Sequence, residues 1–180
     1  MSGLPGMGGA RAAPPPPAVP PSSDFYEMAE ATSISMLPRG HAPVSAADVN
    51  TKLQAGIQAF RARDHTAAAR LFEETVALAR VANEPLAEAR ALANLASVYK
   101  KQDRVPDSVD LYRAALASLQ RLGDGEKMSS VLKSLADCLE SLGRYDEALA
   151  TCEQRKAFVA GEDARQLQER VAALRRLAAR

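Results

Sequence analysis

Gly56, Ala96 and Ala136 stand 40 residues apart, and two further sets keep that interval: Ala68, Ser108 and Ala148, then Phe72, Tyr112 and Cys152. The stretches between them also line up, as "RARDH" (61–65), "KQDRV" (101–105) and "LGRYD" (142–146), and so do "VANEP", "RLGDG" and "VAGED" at the ends of the units. A chain that repeats at one period of roughly 20–50 residues is confined to stacked copies of a supersecondary unit. No single copy can bury its apolar face, so neighbours must cover one another.

Within each unit, apolar and small residues recur at the spacing of an amphipathic helix, twice over, around a short polar break. The unit is therefore two antiparallel helices. In the first, Gly56, Ala96 or Ala136 lets backbones approach, with Phe60, Tyr99 or Leu139 filling space nearby. In the second, Ala68, Ser108 or Ala148 sits at the crossing, and Phe72, Tyr112 or Cys152 plugs the gap below. Gly143 closes the third turn and Tyr145 packs over it. Ser45 followed by Asp48 starts the series as a capping box, with Asp in place of the usual Glu. The expectation is an all-α solenoid of three hairpins, about 46–84, 85–124 and 125–161. Residues 162–180 follow, with Ala164, Leu167, Val171, Leu174 and Ala178 in one stripe, acids at the start and arginines at the end, as the helix dipole favours. The preferred reading is a helix capping the last hairpin. A dimerising seam is the alternative, and little more than two heptads make it marginal.

Residues 1–44 are of another kind. Pro14–Pro17 fix an extended, solvated backbone without donors. "RAAPPPP" puts Arg11, Pro14 and Pro17 at the spacing of an SH3-type ligand, though a plain spacer has the same composition. Residues 24–37 carry Phe25, Tyr26, Met28, Ile34, Met36 and Leu37, a candidate linear motif with a short helix at 24–31, bounded by Pro38 and Gly40. It either packs on the chain's own hairpins or serves as bait for a partner.

The formal charge is +1 with both signs interspersed, which argues against a polyanion-binding surface and so against nucleic acid. No apolar run approaches the ~20 residues that span a bilayer, and "MSGLPGMGGARAAPPPP" lacks the apolar core of a secretory signal. Cys138 and Cys152 make no disulfide framework, so a reduced, cytoplasmic setting is expected. No enzyme chemistry, metal or cofactor is expected. His41 and His65 have no nucleophile or paired carboxylate at helical spacing, the two cysteines read as core residues, and "GMGG" follows no strand and opens no helix.

The small residues in both helices, with an aromatic four positions after the second small one (Ala68–Phe72, Ser108–Tyr112), resemble the tetratricopeptide repeat. The 40-residue period is similar to the long-helix variety found in kinesin light chains, rapsyn and spindle-orientation adaptors. The resemblance implies a protein-binding adaptor or scaffold in which first helices line a concave groove. Carried over, the groove positions are Asn50, Leu53, Gln54, Ile57 and Arg61, then Arg90, Asn94, Ser97 and Lys101, then Lys133, Ser134, Asp137 and Glu140. Gln54, Asn94 and Ser134 would form a polar ladder for the backbone of an extended peptide. Of the two-lysine, two-asparagine, one-arginine clamp that takes chaperone tails only Asn94 is present, so such a tail is disfavoured. An apolar anchor beside an acidic stretch suits Leu53 and Ile57 with Arg90 and Lys101. The alternative is a permanent subunit of a larger cytoskeletal or ciliary assembly, held by its convex face and last helix.

Overall fold

The computed structural model describes residues 44–179. The SH3-type ligand (Arg11, Pro14, Pro17) and the candidate motif at 24–37 lie outside the described residues. Among these residues seven α-helices follow one another: α1 Ala46–Arg61, α2 His65–Val81, α3 Pro85–Lys101, α4 Val105–Leu122, α5 Gly125–Ser141, α6 Tyr145–Arg155 and α7 Gly161–Ala178, with a 3-10 turn Lys156–Phe158 before the last. They pair as three hairpins and a capping helix, each helix packing chiefly on the next in sequence.

One device ends the first five helices. A left-handed residue follows each: Arg63 (φ 63°), Asn83 (53°), Asp103 (62°), Gly123 (68°) and Gly143 (70°), evenly spaced by 20. At the first, Asp64 N–H donates to Ala59 O and Arg63 N–H to Phe60 O, both at 3.0 Å; the same two bonds recur at Arg104, Arg144, Glu84 and Asp124. These are Schellman motifs, which satisfy carbonyls the helix end would otherwise orphan. The 40-residue repeat is thus two helix-plus-turn halves. The third intra-hairpin turn aligns as 141–145, one residue earlier than "LGRYD" (142–146), because Gly143 is the left-handed position matching Arg63 and Asp103. The second helix of the third unit departs from the pattern: α6 has 11 residues and yields to the 3-10 turn.

Side-chain caps start three of the helices, α1, α2 and α5. The Ser45–Asp48 capping box is present, with Asp48 accepting Ser45 N–H at 3.0 Å. Asp64 and Asp124 cap α2 and α5 through Ala67 N–H and Lys127 N–H at 2.9 and 3.0 Å. Arg104 and Arg144 cannot accept these donors, and instead donate to Asp107 and Glu147 in the first turn, at 2.7 and 2.6 Å.

The core follows the sequence register. Gly56, Ala96, Ala136, Ala68, Ser108 and Ala148 are buried, and so are Phe72, Tyr112 and Cys152 beneath them. A Cβ on Gly56 would come within 2.7 Å of the Phe72 ring, so glycine is what admits the phenyl group there. Burying Ser108 carries no orphan, since its hydroxyl donates to Val105 O at 2.8 Å. Leu139 is a core residue, whereas Phe60 and Tyr99 stay half-buried at the rim. Tyr99 sits under the Arg104 guanidinium (3.9 Å to the ring centroid) and donates to Glu73 at 2.7 Å. The α7 stripe is spent on the stack: Leu167, Val171 and Leu174 are buried in the main core, and Arg170 ties α7 to α5 through Asp137 (2.7 Å) and Glu140 (2.6 Å).

Candidate functional site

The first helices of the hairpins bring one layer of side chains together. Ile57 of α1, Ala89, Arg90, Ala93 and Asn94 of α3, and Lys127, Ser130 and Val131 of α5 line a cavity of about 310 Å³, with Leu119 behind them. Helical spacing explains the grouping. Arg90 and Asn94 are one turn apart, and Ala89 and Ala93 lie on the adjacent ridge. Small residues at 89 and 93 keep the floor shallow, while the apolar surface of Ile57, Leu119 and Val131 lies beside a guanidinium and an amide. Lys127 is held by Asp124. Arg90 has no carboxylate partner among the described residues.

The groove positions carried over from the repeat pattern do not all share this cavity. Ile57, Arg90 and Asn94 do. Leu53 is fully buried in the main core, so it offers no surface to a ligand; this corrects the expectation of an apolar anchor site at Leu53. Gln54 and Lys133 are exposed outside the cavity. Ser97 turns toward the core, 2.9 Å from the Tyr112 hydroxyl. Tyr112 has a raised pKa because burial penalises its phenolate, against the opposing hydrogen bonds of the Ser97 and Ser134 hydroxyls. Ser97 is therefore spent partly on a core tyrosine and Ser134 donates to Ser130 O of its own helix at 3.3 Å, so the ladder Gln54–Asn94–Ser134 is not uniformly free. Asp137 is taken by Arg170 and, at 4.0 Å, by Lys100. Burial works against the Arg170 charge, but the Glu140 hydrogen bond and the field of Asp137 outweigh it, and the guanidinium pKa is raised. Lys101 lines a different cavity with Phe60, Arg61, Arg63 and His65.

Ala89, Ala93 and Lys127 were not singled out by the sequence register. The alanines are core-like in pattern and only their position over the Leu119 layer makes them a floor. The cysteines are free and buried, and burial pushes the Cys152 thiol up, away from the thiolate that redox chemistry requires. Among the described residues no three His, Cys, Asp or Glu converge as a metal site, and no helix is long and apolar enough to cross a membrane.

A succession of helical hairpins with small residues at the crossings and a cavity across the first helices defines an α-solenoid. Residues 87–157, which span the second hairpin and most of the third, match the tetratricopeptide repeat family model. Among solved structures the chain is similar to BtubC (BKLC) from P. vanneervenii, at 20% identity and a TM-score of 0.66, over 87% of this chain and 67% of that one. It is also similar to a protein of Podosopora anserina described as a kinesin light chain with nearly identical TPR-like repeats, at 16% identity and a TM-score of 0.62, over 87% of this chain and 77% of that one. At these identities the likeness is one of fold. No curated protein matches the chain in sequence.

Proposed function

We propose that this chain is an adaptor that captures a segment of another protein across the first helices of its three hairpins, in the cytoplasm and without catalysis. The observation that carries this is the cavity at Ile57, Arg90, Asn94 and Ser130: an apolar floor for one anchoring side chain, an amide able to donate to and accept from a peptide backbone, and a guanidinium with no carboxylate of its own. A ligand with a hydrophobic residue beside an acidic one suits it. Leu53, being core, contributes to the groove's position and not to its lining. Three hairpins make a short groove, so affinity should be modest.

The test is capture from cell extract on wild type and on Arg90→Glu/Asn94→Ala, after matching helicity and melting temperature. Both side chains are partly exposed, so the variant should fold. A partner retained by wild type and reduced at least tenfold on the variant supports the groove. Identical sets on both proteins refute it. One feature favours a second reading, a permanent subunit gripped elsewhere: Val81, Leu86, Leu122 and Phe158 are exposed apolar residues at the turns between hairpins. A partner held there would ignore the Arg90/Asn94 pair and leave with Val81→Ser/Leu122→Ser.

A further inference from the structure

Phe60, Arg61, Arg63, His65 and Lys101 line a second cavity, of about 420 Å³, one to two turns beyond Ile57 and Asn94 along α1 and α3. Its three cations come from separate places: the last residue of α1, the left-handed turn residue after it, and the last residue of α3. Most other cations of the stack are matched, as Lys52 is by Glu74 and Arg113 by Glu147. Arg61, Arg63 and Lys101 have no carboxylate partner among the described residues. The adjacent carboxylate, Asp64, is engaged as the cap of α2, accepting Ala67 N–H.

The repeat itself does not ask for this set. Positions 61, 63 and 65 correspond to Lys101, Asp103 and Val105, and to Ser141, Gly143 and Tyr145, so the same turn forms without arginine or histidine. Arg63 is an unfavourable choice for a φ of 63°, where the equivalent turns hold Asn83, Asp103, Gly123 and Gly143, the residue types that tolerate that region. A side chain kept at a conformation that disfavours it calls for a reason outside the fold. His65 adds an independent sign. Its ring packs on Phe60 with centroids 5.5 Å apart, and its Nδ1 is buried without a hydrogen-bond partner among the described residues, although buried polar atoms ordinarily have one.

We propose that this cavity receives a phosphorylated aromatic side chain, a phosphotyrosine of a partner segment. Three cations exceed what one carboxylate would neutralise. They match a phosphate monoester, which carries about −1.5 to −2 charge and three strong acceptors. Arg61 and Arg63 supply forked donors suited to a phosphoryl group, and Lys101 supplies a point charge. The space exceeds a bare tetrahedral anion, and the Phe60 ring gives it an apolar wall on which an aromatic ring can lie, with the arginine planes available for stacking. The inference goes beyond the groove reading and is separable from it. A small phosphate ester would occupy the cavity whether or not a peptide lies along Ile57 and Asn94.

The test is a titration of the full chain with phenyl phosphate, followed by backbone amide shifts, with inorganic phosphate and benzoate in parallel. Phenyl phosphate should saturate, shift residues 60–67 and Lys101, and bind at least tenfold more tightly than either control. Arg63→Gly suits the turn and should melt at or above the wild-type temperature, yet weaken phenyl phosphate at least fivefold. Lys101→Gln should weaken it similarly, and Arg90→Glu/Asn94→Ala should leave it unchanged. Absence of saturation overturns the proposal, as does equal affinity for inorganic phosphate or benzoate. So does a shift pattern that follows exposed cations such as Lys133, or an Arg63→Gly variant that binds as well as wild type.

Discussion

Single positions in this chain are decided by what faces them. Gly56 occupies a helix interior, where alanine would ordinarily be favoured by about 1 kcal/mol. Its neighbour reverses that sign, because the added Cβ would lie 2.7 and 2.8 Å from two carbons of the fully packed Phe72 ring. Gly56→Ala should therefore lose about 1–2 kcal/mol net, the overpacking cost outweighing the propensity gain. Chemical denaturation would measure it. Adding Phe72→Leu should make room, so that the double variant is more stable than the two single losses summed, by at least ~0.5 kcal/mol. Additive losses would mean the contact is not the cause. The register of small and bulky residues was legible because it repeats. What faces each residue across the layer was not. Leu53 and Ile57 are one turn apart in the same helix, and only the packed structure puts the first in the core and the second in the cavity. Ser97 and Asp137 carry groove-like chemistry in sequence, but Tyr112 and Arg170, 15 and 33 positions further on, claim them. The cluster around His65 was hidden for the same reason, since Lys101 joins it from another hairpin.

Among the elements, α7 has the narrowest attachment. It is the one helix without a hairpin partner following it among the described residues. Its grip consists of Leu167, Val171 and Leu174 together with the Arg170 pairs to Asp137 and Glu140 and the Arg175 pair to Glu153. Leu174→Ala should cost about 2–3 kcal/mol, as buried Leu truncations do at the lower end of their range. The loss should fall unevenly, because a repeat stack is stabilised by nearest-neighbour interfaces. Hydrogen exchange of α7, α6 and α5 should accelerate while that of α2 and α3 changes little. Uniform acceleration along the stack would show the protein unfolding as one cooperative block instead. The helices themselves were readable from periodicity and from "LGRYD"-type turns. The one-residue slip in the third turn arose because the three pentapeptides share no residue that marks the left-handed position, which is held by Arg63, Asp103 and Gly143 in turn. An arginine there gives no sequence signal.

For the whole molecule, exposed charge pairs set the acid limit of stability. Hydrogen bonds from the Ser45 backbone and hydroxyl hold Asp48 below its ordinary 3.8, and those from Lys127 do the same for Asp124. Hydrogen bonding to Lys52, Arg144 and Lys156 holds Glu74, Glu147 and Glu153 below their ordinary 4.5. A carboxylate whose folded pKa is depressed contributes fully above its unfolded value, and loses that contribution as pH falls through the folded one. The melting temperature should then be level from pH 7 to about 5 and decline below about 4, by an amount kept small by solvent exposure and reduced further in high salt. A decline already under way at pH 6 would implicate other groups. The ordering of the helices has a consequence during synthesis. Hairpin 3 is covered by a helix that comes after it in the chain, so a ribosome exposes the α7-facing side of α6 until α7 has been made. At about 5–20 residues per second, the 18 residues of α7 take roughly one to four seconds, far longer than the microsecond or less in which a helix forms. Through that interval the nascent chain displays an apolar strip around α6, and a chaperone able to shield it has an opportunity there.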